Sequence, residues 1–135
     1  MAFPTSTHHQ SCRGIPSMNQ LNHIAVALSG INLIEASAGT GKTYAIASLY
    51  LRLLIEQELL PEQILVVTYT EAATQELRSR IRTRIHEALD VMEGRETTDA
   101  FLLDLYEKVS KIGMKRVRDF LERALGAFDT VKPVD

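Results

Sequence analysis

The chain holds a single cysteine, Cys12, so it can form no internal disulfide, and that suits a reducing compartment. It has no excess of positive charge: 15 Lys and Arg stand against 17 Asp and Glu, a formal net charge of −2. No global basic field draws it to nucleic acid, so any such contact must come from a local patch. No apolar run approaches the roughly 20 residues of a membrane span, and no apolar signal core opens the chain. The expected location is cytoplasmic, with no membrane partner. His8 and His9 make too short a tract to hold a metal. There is no internal repeat. What the chain does have is 45% hydrophobic content in 135 residues, enough for one domain if its elements cover one another.

Residues 1–20 are rich in Ser, Thr, Pro, His and Gln, without periodicity, and read as a flexible leader. Residues 21–135 form the folded part. The apolar run at 31–36 suits a buried parallel strand. A helix is expected from the following loop to about residue 58, with Ile46, Leu49, Tyr50, Leu53 and Leu54 on one face. Pro61 breaks it. Residues 64–69, Ile-Leu-Val-Val-Thr-Tyr, read as a second buried strand. A long helix follows over 71–92, its stripe running Ala73, Leu77, Ile81, Ile85, Leu89 and Met92, and Gly94 ends it. Two more helices are expected near 98–110 and 114–128. Strand–helix–strand–helix order argues for an α/β fold with a parallel sheet flanked by helices, although two strands make a thin one.

Residues 36–43 read Ala-Ser-Ala-Gly-Thr-Gly-Lys-Thr, between the first apolar run and the first helical pattern. That is a phosphate-binding P-loop in its strand–loop–helix setting. Small residues let the backbone of Ala36, Ser37, Ala38, Gly39, Thr40 and Gly41 wrap a polyphosphate, while the next helix adds its positive end. Lys42 would reach the β- and γ-phosphates, and the Thr43 hydroxyl would hold Mg²⁺, which takes oxygen ligands. The cofactors expected are ATP and Mg²⁺.

The segments Leu-Ile-Glu-Ala-Ser-Ala-Gly-Thr-Gly-Lys-Thr-Tyr at 33–44 and Leu-Val-Val-Thr-Tyr-Thr-Glu-Ala-Ala-Thr-Gln-Glu-Leu-Arg-Ser-Arg-Ile-Arg at 65–82 resemble the RecB family. These are the helicase–nuclease β subunits of exodeoxyribonuclease V, within the UvrD/Rep type of superfamily 1 helicases. The second segment is similar to the family's motif Ia. The resemblance covers about 21–129, strongly over the two motifs and weakly over the last helices. It departs at His23 and Ala27, where the family favours proline. The resemblance implies the N-terminal part of a RecA-like P-loop motor domain. Its parent would be an ATP-dependent DNA helicase and exonuclease, a hydrolase acting in recombinational repair of double-strand breaks. RecC-like and RecD-like partner subunits are implied with it, as is DNA, single-stranded or double-stranded. It further implies that Thr68, Tyr69 and Thr70 form a DNA-facing strand end. Such a position suits the carboxyl ends of parallel strands, where ligands gather. Thr70 reads equally as an N-cap of the long helix.

Several features stay outside the motif. Arg78, Arg80, Arg82 and Arg84 cluster on the long helix, with Glu76–Arg80 and Arg84–Glu87 at ion-pair spacing. They read as a solvated face, with phosphate contact by Arg78 or Arg82 as the functional alternative. Lys108, Lys111, Lys115, Arg116, Arg118 and Arg123 lack interleaved aromatics and make no DNA site alone. Gln20 reads as leader rather than as an adenine-reading glutamine. Asp104 follows an apolar run like a metal-holding Walker B aspartate, but its neighbours are helical in pattern. The metal-holding acidic pair, the arginine opposing the γ-phosphate and the nuclease residues are not found in this sequence. The chain is therefore expected to be a fragment that binds nucleotide weakly and turns it over very slowly. A small P-loop kinase and a non-catalytic interaction module are the other readings.

Overall fold

The computed structural model describes residues 22–34 and 41–132. The 1–20 leader, with Gln20, and residues 36–40 of the P-loop lie outside the described residues. Within them stand four helices: α1 (Lys42–Glu56), α2 (Glu71–Met92), α3 (Ala100–Ile112) and α4 (Met114–Thr130). A short 3₁₀ turn, Pro61–Gln63, lies between α1 and α2.

Each helix begins or ends where local chemistry demands. The Thr70 hydroxyl accepts from the Ala73 amide and caps α2. The Asp99 carboxylate accepts from the Leu102 amide and caps α3. Gly113 alone joins α3 to α4, at φ 131°, a backbone setting that side chains with a Cβ rarely adopt. The four helices close on one core. Leu51 and Leu54 from α1, Ile85 from α2, Leu105 and Val109 from α3 and Leu121 from α4 are all fully buried. Burial of such side chains stabilises by about 1.5–3 kcal/mol each relative to exposure.

Among the described residues the expected parallel sheet is not there. No strand occurs among the described residues, which overturns the α/β, RecA-like fold class with parallel strands flanked by helices. Residues 31–34 and 64–68 carry strand-like composition, yet neither has a neighbour to share a ladder of N–H···O=C bonds. A strand is a property of a pair, and composition alone cannot supply the partner. The side chains show the consequence. Leu33 is 83% exposed, Leu65 78% and Val67 79%, whereas buried strands would have covered them. Ile64 and Thr68 are half-buried and, with Val66, line an apolar cleft against Leu77 of α2 and Phe128 of α4.

The helical expectations fare differently. The long helix spans 71–92 as its stripe indicated, and the last helices shift by about two residues. Asp104 lies on the exposed side of α3, which removes the Walker B reading.

Candidate functional site at the head of helix α1

Helix α1 opens without a side-chain cap. Gly41 stands before it in the left-handed region at φ 87° and ψ 27°, a setting natural to glycine. The first intrahelical bond runs from the Ala45 amide to the Gly41 carbonyl at 2.9 Å. The amides of Lys42, Thr43 and Tyr44 therefore have no acceptor inside the helix. No acidic residue occupies the first turn to compete for them. Lys42 is exposed and Thr43 half-buried. Oriented amides, an ammonium group and a hydroxyl together make a donor set suited to polyphosphate with a hard divalent cation. Ala36, Ser37, Ala38, Gly39 and Thr40, the rest of the expected cradle, lie outside the described residues.

Beside this helix start sits a polar cluster of which the sequence reading saw only the Arg84–Glu87 pair. Arg84 of α2 is only 5% exposed. Its Nη1 donates to Asp99 Oδ2 at 2.8 Å and to Glu87 Oε2 at 2.9 Å. Its Nε and Nη2 approach the buried Ser48 hydroxyl of α1 at 3.4 and 3.3 Å. The guanidinium also stacks 4.3 Å from the Tyr44 ring centroid. Tyr44 closes the circuit, its hydroxyl donating to Asp99 at 3.0 Å. Burial and the bond to Asp99 raise the Tyr44 pKa. Burial alone would raise the Asp99 carboxyl, but Arg84, the Leu102 amide and Tyr44 outweigh it and hold the carboxyl below its usual value. The His23 ring lies 5.2 Å from Tyr44; burial, then the nearby Arg84 charge, lower its pKa.

A second buried arginine secures the chain that leads into the loop. Arg52 of α1 is 4% exposed and grips Glu56 through two bonds of 2.7 and 2.9 Å. Its Nη1 donates to the carbonyls of His23 at 3.0 Å and Val26 at 2.7 Å. Lys108 of α3 reaches the same Glu56 at 2.8 Å. Arg84 carried a signal in the sequence. It falls three residues after Ile81 and four before Ala88, so it sits on the edge of the apolar stripe. Asp99 directly precedes an apolar run, as helix caps do.

The residues expected to face DNA are largely engaged within the protein. The Thr70 hydroxyl caps α2, and Thr68 bonds to the Thr70 carbonyl and to the Thr74 hydroxyl. Tyr69 is fully exposed. Arg78 donates to the Phe128 carbonyl at 2.7 Å, and Arg82 pairs with Asp129 at 2.8 Å. Arg84 and Glu87 pair as their spacing indicated, but the Arg84 end is buried rather than on a solvated face. No hydrogen bond among the described residues joins 41–43 to 68–70.

Residues 17–121 match the family model described as UvrD/REP helicase N-terminal domain. The chain is similar to the RecBCD enzyme subunit RecB of Escherichia coli strain K12, at 53% identity over 97 residues, 66% of this chain and 8% of that protein. It is also similar to the RecBCD enzyme subunit RecB of Haemophilus influenzae, at 56% identity over 77 residues, 52% of this chain and 6% of that protein. The RecBCD enzyme subunit RecB of Mycobacterium tuberculosis strain H37Rv is 37% identical over 97 residues, 72% of this chain and 9% of that protein. The chain thus spans less than a tenth of the length of these relatives.

Proposed function

The chain belongs to the UvrD/REP helicase N-terminal domain family, and from that premise we propose that it is the ATP-binding part of a RecB-like DNA helicase and nuclease subunit. The parent protein acts in the cytoplasm in recombinational repair of double-strand breaks, alongside RecC-like and RecD-like subunits. One observation carries the nucleotide part of this reading: a left-handed Gly41 delivers the chain into an uncapped helix whose first two residues are Lys42 and Thr43.

Ala36, Ser37, Ala38, Gly39, Thr40 and Gly41 surround the phosphates in this proposal, with Lys42 neutralising their charge and Thr43 offering its hydroxyl to Mg²⁺. Bound ATP–Mg²⁺ supplies the driving force of phosphoanhydride hydrolysis to the parent motor. The helix start gives its amides and positive end to the anion without reorganisation. Among the residues assigned to single-stranded DNA, Tyr69 presents a stacking face to solvent. Thr68, Thr70 and Arg78 hold the ledge on which it stands, through their bonds to α2 and α4.

The test is a titration with Mg²⁺–ATP followed through backbone amide resonances. Gly41, Lys42 and Thr43 are expected to shift and Lys42→Ala to abolish the response. Silence of all three amides in the wild-type chain would overturn the reading.

A further inference from the structure

The cluster of Tyr44, Asp99 and Arg84 has no part in the phosphate cradle itself, yet it touches the cradle's helix at a sensitive place. Tyr44 is the third residue of α1 and follows Lys42 and Thr43 directly. Its hydroxyl meets both carboxylate oxygens of Asp99, at 3.0 and 3.1 Å. Asp99 is in turn fixed from two further sides. It caps α3 through the Leu102 amide at 3.1 Å, and it receives the Arg84 guanidinium at 2.8 Å. Arg84 is locked by Glu87 and Ser48 and by the rings of Tyr44 and Phe101, whose centroids lie 4.3 and 5.0 Å away. Three helices therefore meet at one carboxylate, and the first turn of α1 is tied to that point by a single phenol.

A first turn is the part of a helix most prone to fray, because its amides lack partners. This one has no side-chain cap of its own. The Tyr44 tether replaces that missing restraint from outside. It sets the azimuth of the first turn about the helix axis, and with it the directions in which Lys42 and Thr43 leave the backbone.

We infer that Tyr44, Asp99 and Arg84 are positioning residues for the polyphosphate site, holding the first turn of α1 in register with α3 so that Lys42 and Thr43 meet the phosphates and Mg²⁺ pre-aligned. The inference rests on the nucleotide reading above. It adds that the head of α3 and the phosphate site are coupled through the Tyr44 hydroxyl.

Tyr44→Phe is the decisive variant, because it keeps the ring against Arg84 and His23 and removes only the hydroxyl. Asp99→Asn is its complement, since asparagine still caps α3 but cannot pair with the arginine charge. Val109→Ala is the control: Val109 is fully buried on α3 and lies well down the helix from Asp99. Binding of a fluorescent ATP analogue with Mg²⁺ is measured for the full chain beside its thermal midpoint.

Tyr44→Phe is expected to weaken binding by about tenfold, the scale on which groups that orient a ligating side chain act, with little change in midpoint. Val109→Ala is expected to lower the midpoint and leave affinity unchanged below it. Equal affinity in Tyr44→Phe and wild type, with Lys42→Ala inactive, overturns the positioning role and leaves the nucleotide reading standing. Weakening by Val109→Ala as large as that by Tyr44→Phe also overturns it, because stability would then explain both. No binding by the wild-type chain overturns both readings together.

Discussion

Arg78 holds Phe128 twice: its guanidinium carbon lies 4.9 Å from the ring centroid, and its Nη2 donates to the same residue's carbonyl at 2.7 Å. One side chain of α2 thereby secures the last turn of α4, where carbonyls lack partners within the helix. Arg78→Ala is expected to destabilise the fold by about 2 kcal/mol, the cost of a charged hydrogen bond and a ring contact. Arg80→Ala, on the exposed side of the same helix, should change stability by less than about 0.5 kcal/mol. Urea unfolding of the two variants decides; equal midpoints would contradict the arrangement.

Removing Arg52 should do more than loosen a helix. Arg52→Met leaves the His23 and Val26 carbonyls without their donor and Glu56 with Lys108 alone. A loss of about 3 kcal/mol is expected, typical of breaking a buried pair from one side. Amide exchange at Ala25 and Val26, both bonded to the Asn22 carbonyl, should accelerate more than exchange at Val109. Uniform acceleration across the chain would argue against a local clasp.

Acid should unfold the protein through the same clusters. Burial alone would raise the carboxyls of Glu56 and Asp99, but Arg52 and Lys108 for the first, and chiefly Arg84 for the second, pull both below their ordinary values. A carboxyl depressed in the folded state contributes stability that is complete above its unfolded pKa, near pH 4, and disappears as pH falls through the folded one. Thermal midpoints should ease below about pH 6.5, where unfolded His23 takes up a proton that the folded ring resists, and drop more steeply below about 4. Asp99→Asn should shallow that drop; an unchanged acid limb would remove Asp99 from the account.

The exposed segment 64–69 predicts how the chain behaves in solution. Leu65, Val67 and Tyr69 are all largely exposed within five residues, and exposed apolar side chains so close together invite self-association. The thermal midpoint should depend on concentration, and Leu65→Glu with Val67→Glu should abolish that dependence while leaving the dilute midpoint in place. Sedimentation of a wild-type monomer at every concentration would refute it.

What the sequence made legible was what neighbouring residues decide. Helix α2 could be bounded because its stripe, its Thr70 cap and its Gly94 stop lie within the same stretch of chain. The strands could not be secured in this way, since Ile64 and Val67 need a partner strand that local composition says nothing about. Arginine is so seldom buried that Arg84 read as part of a solvated face. Only the fold reveals that Asp99, fifteen residues beyond Arg84, returns to neutralise it. The head of α1 was legible as a motif, while the circuit that steadies it joins residues as far as 55 positions apart.

The Arg52 clasp carries one more implication. Val26 is fastened to α1 from outside, and Lys42 begins α1 itself. Val26 and Lys42 are therefore both fixed to one helix, so the two ends of the intervening segment share a single rigid post. Pinning the ends of a segment removes much of the freedom it would otherwise surrender on closing around a guest. On the nucleotide reading proposed above, Arg52 thus lowers the entropic cost of binding the anion without touching it.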